Sequence, residues 1–171
     1  HDTSRGAARA HDERHPDDPT EIAELTSGEA FRLALGPFQA HTLHVLRVRG
    51  REALSRLFSW TVTFSTSDPA LTVDAVIGQP ARLTLSPLTE TPREVFGLVR
   101  QVGRCAGVEH SRPTFRARIV PQLSCLQRRR TSRVFDNRTV PEIVSTVLDL
   151  SGVAHRFETR AKYASRGYCV Q

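Results

Sequence analysis

Apolar residues in this chain recur mostly at every second position. Trp60, Val62 and Phe64 alternate with Ser59, Thr61, Thr63 and Ser65, a period of two that turns one face of a strand to a core and the other to water. The same alternation marks Phe31, Leu33 and Leu35 as a first strand, Ala81, Leu83 and Leu85 as another, and Phe115, Ala117 and Ile119 as a third with Arg116 and Arg118 outward. Within 95–102, Phe96, Leu98 and Val102 read as one face, with Gly97 suited to close packing or a bulge. A β-branched run from Leu43 leads through Gly50 into 51–58, a helix-capable link too short to stand alone. Its Ala53, Leu54, Leu57 and Phe58 are spaced to plug one turn onto the strands beside it. Turn residues at Gly36 and Pro37, at 65–69, at Ser86 and Pro87 and at 103–113 punctuate the series, as does Gly78 after Leu71, Val73, Val76 and Ile77. At least five strands are expected between Phe31 and Val120.

The period then changes. Thr139 and Glu142 stand at the spacing of a capping box with Pro141 in the first turn, where a missing amide costs nothing. Val140, Ile143, Val144, Val147 and Leu148 follow at helical spacing, and Gly152 is placed to end the helix in a left-handed turn. The pattern predicts one amphipathic helix over about 140–150, lying across the strands with Ile143, Val144 and Val147 buried, and one more short strand at 153–157. The expected fold class is mainly β, of α+β type: a small β-barrel of short antiparallel strands with one packed amphipathic helix. Residues 1–30, with hardly a large apolar side chain before Ile22, read as a disordered polar extension. Residues 31–171 read as the barrel domain.

The chain has 171 residues, 39 % of them apolar, which suffices for one core. A start at His1 rather than Met points to a fragment, a processed chain or trimmed numbering. No stretch approaches a membrane span, and no secretory signal pattern opens the chain. The formal net charge is +6 and Lys162 is the only lysine. The arginines are spread over strands, links and tail alike, as a compositional habit of the source genome would spread them. Only Arg128, Arg129, Arg130 and Arg133 form a run. Cys105, Cys125 and Cys169 lie far apart, which argues against a zinc knuckle and a complete disulfide framework, although one bridged pair stays open. Cys125 is expected as a small core residue.

Chemistry-bearing patterns are scarce. There is no GxSxG, no HExxH and no phosphate-binding glycine loop. His11 and His15 beside Asp12 and Asp17 lack an apolar stripe to hold a metal-binding helix. His41 and His44 fall on opposite faces of an extended chain. Asp136 and Asn137 read as turn-formers ahead of the capped helix. Neither catalysis, a cofactor nor a metal is expected. A basic nucleic-acid-binding small barrel is the stronger rival reading, weakened because aromatics make up only 6 % of the chain and those on strands alternate inward.

Several motifs occur in a fixed order: Gly50 to Ser55 (GREALS) with Leu57 and Phe58; the alternating strand after them; Ile77 to Ala81 (IGQPA); Phe96 to Val102 (FGLVRQV); 120–125 with the arginine run; Ser132 to Val144 (SRVFDNRTVPEIV); and Arg166 to Gln171 (RGYCVQ). In that order they resemble the amino-terminal part of the VgrG spike proteins of type VI secretion systems, a family similar to the hub proteins of contractile phage tails. The resemblance implies the first of two hub-like barrels, cut before the second, in a structural component that adapts a hexameric tube to a trimeric spike and so supports effector delivery. A phage tail baseplate hub protein is the neighbouring alternative. It further implies a homotrimer in the full-length context, with an Hcp-like hexameric tube protein, baseplate proteins and effectors as partners, and nucleic acid disfavoured. The implied location is the bacterial cytoplasm during assembly, followed by secretion or delivery into target cells. Arg128, Arg129, Arg130 and Arg133 are the candidate subunit or tube interface.

Overall fold

Strict alternation makes β4 (Ser59–Ser65) the centre of the molecule, with Trp60, Val62 and Phe64 shielded almost completely from solvent. A computed structural model describes residues 20–25, 30–86, 91–105, 112–128 and 130–170. β4 pairs antiparallel with β3 (His44–Glu52) on one side and with β7 (Thr114–Val120) on the other. Beyond β7 follow β6 (Arg93–Arg104), β5 (Pro80–Leu85) and β2 (Phe31–Leu35), and β1 (Thr20–Leu25) lies outside β3. The order of this seven-stranded sheet is β1-β3-β4-β7-β6-β5-β2, antiparallel at every pair. Strands β2 to β7 curl into a half-barrel that brings β2 back near β3.

Its concave side holds one core. Leu33, Leu35, Leu83, Ala117, Ile119 and Val99 join the β4 residues there, and the rings of Phe64 and Phe115 stack with centroids 5.8 Å apart. Gly50, directly opposite Trp60 in the ladder, has no room for a side chain: a Cβ would lie 2.3 Å from the indole ring. The indole in turn donates from Nε1 to Glu52 Oε1 at 3.0 Å, and Arg93 Nη2 donates to both oxygens of that carboxylate at 2.9 and 2.7 Å. This links β3, β4 and the start of β6 at one end of the barrel.

The mainly-β class and the strands at Phe31–Leu35, Pro80–Leu85 and Thr114–Val120 follow the sequence pattern, including the outward Arg116 and Arg118. Several expectations need correction. Residues 51–58 do not plug a helical turn: β3 runs on to Glu52, a tight turn with Ser55 at φ 58° reverses the chain, and Leu54 is 98 % exposed. On β6 the inward face is Val95, Val99 and Val102, while Phe96 is 62 % exposed. A bulge between Val99 and Gln101 shifts the alternation there. The disorder expected for residues 1–30 does not hold at β1, whose backbone pairs with β3 from Thr20↔Glu52 to Leu25↔Val48. Ladder hydrogen bonds can hold a polar segment at a sheet edge without the burial that the composition argument required. The rest of that extension, 1–19 and 26–29, lies outside the described residues. The loop after Leu71 carries one helical turn, α1 (Val73–Val76), capped by Thr72 and buried at Val76.

Candidate subunit interface

Beyond β7 the chain builds a smaller unit. A 3-10 segment (Gln122–Arg128) leads to β8 (Val134–Arg138), α2 (Val140–Asp149) and β9 (Arg166–Val170). The helix forms where the capping box predicted it. Thr139 N–H donates to Glu142 Oε2 at 2.7 Å, Glu142 N–H donates to Thr139 Oγ1 at 3.5 Å, and Gly152 turns left-handed at φ 66° just past the end. The bond from the Thr139 backbone first, and one that the Thr139 hydroxyl donates to the same Oε2 at 2.9 Å second, hold the Glu142 carboxyl below its ordinary pKa.

The expected burial of this helix fails. Ile143 and Val147 are half-buried, Val144 is exposed, and no α2 residue is fully buried. The helix lies beside β8 rather than across the barrel. The proposed strand at 153–157 is also absent. Instead β9 pairs with β8, antiparallel, from Val134↔Val170 to Arg138↔Arg166, in a two-stranded sheet separate from the barrel sheet. Such a ribbon is marginal unless something covers a face. Its half-buried side carries Phe135 and Cys169. Its other side presents Val134, Tyr168 and Val170, which are 56 %, 67 % and 59 % exposed, with Leu123 and Leu150 further exposed apolar residues in this unit.

The arginine run enters this same ribbon. Arg128 ends the 3-10 segment and is exposed, Arg130 is exposed, and Arg133, immediately before Val134, is half-buried. Arg129 lies outside the described residues. The sequence singled out the arginine run but not the exposed apolar residues that the ribbon sets beside it. Alternation of Tyr168 and Val170 with Gly167 and Cys169 was the available signal, but its partner strand lies far back in the chain. Cys125 is half-buried in the 3-10 segment rather than in the core, and all three cysteines are free thiols.

One side-chain cluster has the composition of a hydrolytic triad. Ser145 Oγ lies 2.8 Å from His155 Nε2 and 3.4 Å from Asp149 Oδ2. His155 Nδ1, however, meets the Val153 carbonyl at 3.0 Å and is 3.8 Å from Asp149, whose side chain is 70 % exposed. The imidazole thereby fastens the chain after α2 back onto the helix, and among the described residues no carboxylate is hydrogen-bonded to it to orient it as a base. Among the described residues no group of three His, Cys, Asp or Glu is arranged to hold a metal, and no helix is long and apolar enough to cross a membrane.

Comparison with known proteins fits this geometry. The spike protein VgrG4b of the type VI secretion system of Pseudomonas aeruginosa is 34 % identical over 145 residues, spanning 82 % of this chain and 17 % of the relative. VgrG3 of Vibrio cholerae, also a type VI spike protein, is 28 % identical over 82 % of this chain and 15 % of its own length. The chain therefore spans less than a fifth of these relatives. Among solved structures, the Escherichia coli c3393 protein superposes with a TM-score of 0.65 at 25 % identity, covering 82 % of this chain and 38 % of the other. That protein is a type VI secretion component described as similar to the bacteriophage T4 tail proteins gp27 and gp5. The family described as phage tail baseplate hub (GPD) matches residues 51–171, and with most of its length so matched the chain belongs to that family.

Proposed function

We propose that this chain is a structural module of a contractile injection machine: the first barrel of a type VI secretion spike, or of the equivalent phage tail hub, in which the barrel is a rigid body and the β8–β9 ribbon a contact surface. The observation that carries this reading is the uncovered apolar side of the ribbon, Val134, Tyr168 and Val170, with Arg128, Arg130 and Arg133 leading into it. An apolar centre with arginine at its margin has the composition of a protein interface. Around it the hub reading places three copies of the full-length protein, an Hcp-like tube protein, baseplate proteins and delivered effectors. It also places the protein in the cytoplasm during assembly and in the target cell after firing. The reading assigns no catalysis to this module. One relative carries the name actin cross-linking toxin, but the match covers only 14 % of its length.

Native mass measurement tests the proposal on the protein carried through to the length of its relatives. A trimer is expected, with Val134→Ser, Tyr168→Ser and Val170→Ser together reducing assembly while the monomer melts as before. Arg128→Ser with Arg130→Ser is expected to do the same to a smaller degree, because exposed charges set register more than they stabilise a fold. Assembly unaffected by both sets would sink the assignment of this surface.

A further inference from the structure

Where the chain leaves α2, two acceptors compete for one proton. His155 Nδ1 lies 3.0 Å from the Val153 carbonyl, which can only accept, so in the neutral ring Nδ1 carries the proton and Nε2 a lone pair. Ser145 Oγ, 2.8 Å from Nε2, then donates to it. Asp149, one helical turn beyond Ser145, sets Oδ2 3.4 Å from the same hydroxyl and Oδ1 3.8 Å from Nδ1. A serine hydroxyl has a single proton to give, so the carboxylate goes without it while the ring is neutral.

A proton added to Nε2 resolves the competition. The ring then donates to Ser145 Oγ, and the serine proton turns to Asp149 Oδ2. The Nδ1 bond to Val153 is unchanged, and the charged ring faces a carboxylate oxygen 3.8 Å away. Each fastening contact survives, and one hydrogen bond to a carboxylate is added. The other charged groups on the elements that meet here are differently placed. Glu142 on α2 is held by the helix cap, and Arg156 and Glu158 on the following segment pair with each other, with Arg160 and Lys162 further along. The 3-10 segment carries Arg128 at its far end and makes its contact through the neutral Gln122, whose Nε2 donates to the Gly152 carbonyl at 2.8 Å. Phe157 stands edge-on to the half-buried imidazole, with ring centroids 5.5 Å apart.

We propose that Ser145, His155 and Asp149 form a proton-operated latch, which holds the chain leading to β9 more firmly to α2 when the imidazole is charged. The added hold is present below the range in which histidines titrate, about pH 5 to 8, and is lost as pH rises through that range. Carboxylates titrate lower, so the Thr139–Glu142 cap at the other end of the helix is unaltered across the window. Because the Asp149 side chain is mostly exposed, solvent screening keeps the gain small. The inference stands whether or not the ribbon assembles as proposed above.

Two NMR measurements on the whole chain test it. Nitrogen shifts of the imidazoles at about pH 8 should place the neutral proton of His155 on Nδ1. The second reads amide protection at Gly152 and Val153, whose N–H groups bond the Asp149 and Leu148 carbonyls. Corrected for intrinsic exchange, it should rise about threefold between about pH 8 and about pH 6. Asp149→Asn should keep at least the protection seen at the higher pH and lose most of the rise. Ser145→Ala should lower protection at both pH values, and His155→Gln should show no rise. The proposal is overturned if the neutral proton sits on Nε2, or if protection in the parent stays level or falls as pH drops through this window. It is equally overturned if the rise persists undiminished in Asp149→Asn or in His155→Gln, which would place the titrating group elsewhere.

Discussion

The barrel and the β8–α2–β9 unit are built from the same local signals and end in opposite states. In β4 an alternating pattern becomes a fully shielded row, whereas in β9 a comparable alternation leaves Tyr168 and Val170 mostly in solvent. In α2 a complete capping box starts a helix that then buries none of its residues completely. Local sequence decides which element forms, and neighbouring elements decide whether its apolar face is covered. In the barrel those neighbours are the other strands. In the second unit they are missing from the described residues, which is why the unit reads as a surface.

The largest expected effect sets the two regions directly against each other. Phe64→Ala should cost about 3–5 kcal/mol in a urea melt, by loss of burial and of the stack on Phe115, while Tyr168→Ser should stay within about 0.5 kcal/mol. Equal losses would end the contrast. Next comes the close contact at the barrel end. Gly50→Ala should cost about 1–3 kcal/mol by overpacking against the indole, and Trp60→Leu in the same chain should recover part of that loss. Additive losses in such a double-mutant cycle would mean that the contact does not exist.

Smaller again is Thr139→Ala, at about 1 kcal/mol of helix stability. It should appear as faster amide exchange in α2 with exchange in β4 unchanged. The smallest effect depends on pH. Because the Glu142 carboxyl is held below its ordinary pKa, the cap contributes fully above the ordinary carboxylate range. The contribution is lost as pH falls through that range and through the lowered pKa. Amide exchange in α2 should therefore accelerate on acidification in the parent and not in Glu142→Gln.

Legibility in the sequence followed how local the determinant was. β2, β4, β5 and β7 were readable with their faces, because a single uninterrupted period of two fixes both. β6 was readable as a strand but not in phase, since one bulge after Val99 reverses which residues point inward. β1 was missed because its pairing to β3 is made by backbone, to which composition is blind. β9 was missed because its partner, β8, lies before the whole of α2 and the loop that follows it. The candidate interface divided the same way. A run of arginines is visible in one glance at the sequence, whereas an apolar patch assembled from Val134 and Val170 exists only once the ribbon is paired.

Trp60 is the chain's one tryptophan, and it sits inside the barrel against Gly50 with its Nε1 bonded to Glu52. Its emission is consequently a regional reporter: excited selectively, it is blue-shifted while the barrel holds, and it does not register whether α2 and the ribbon are folded, frayed or engaged by a partner. Tyr163 and Tyr168, the only tyrosines and both in the other unit, give the complementary signal. The molecule thus carries separate optical labels for its shielded half and its exposed half, and a difference between the two traces measures their independence without any added dye.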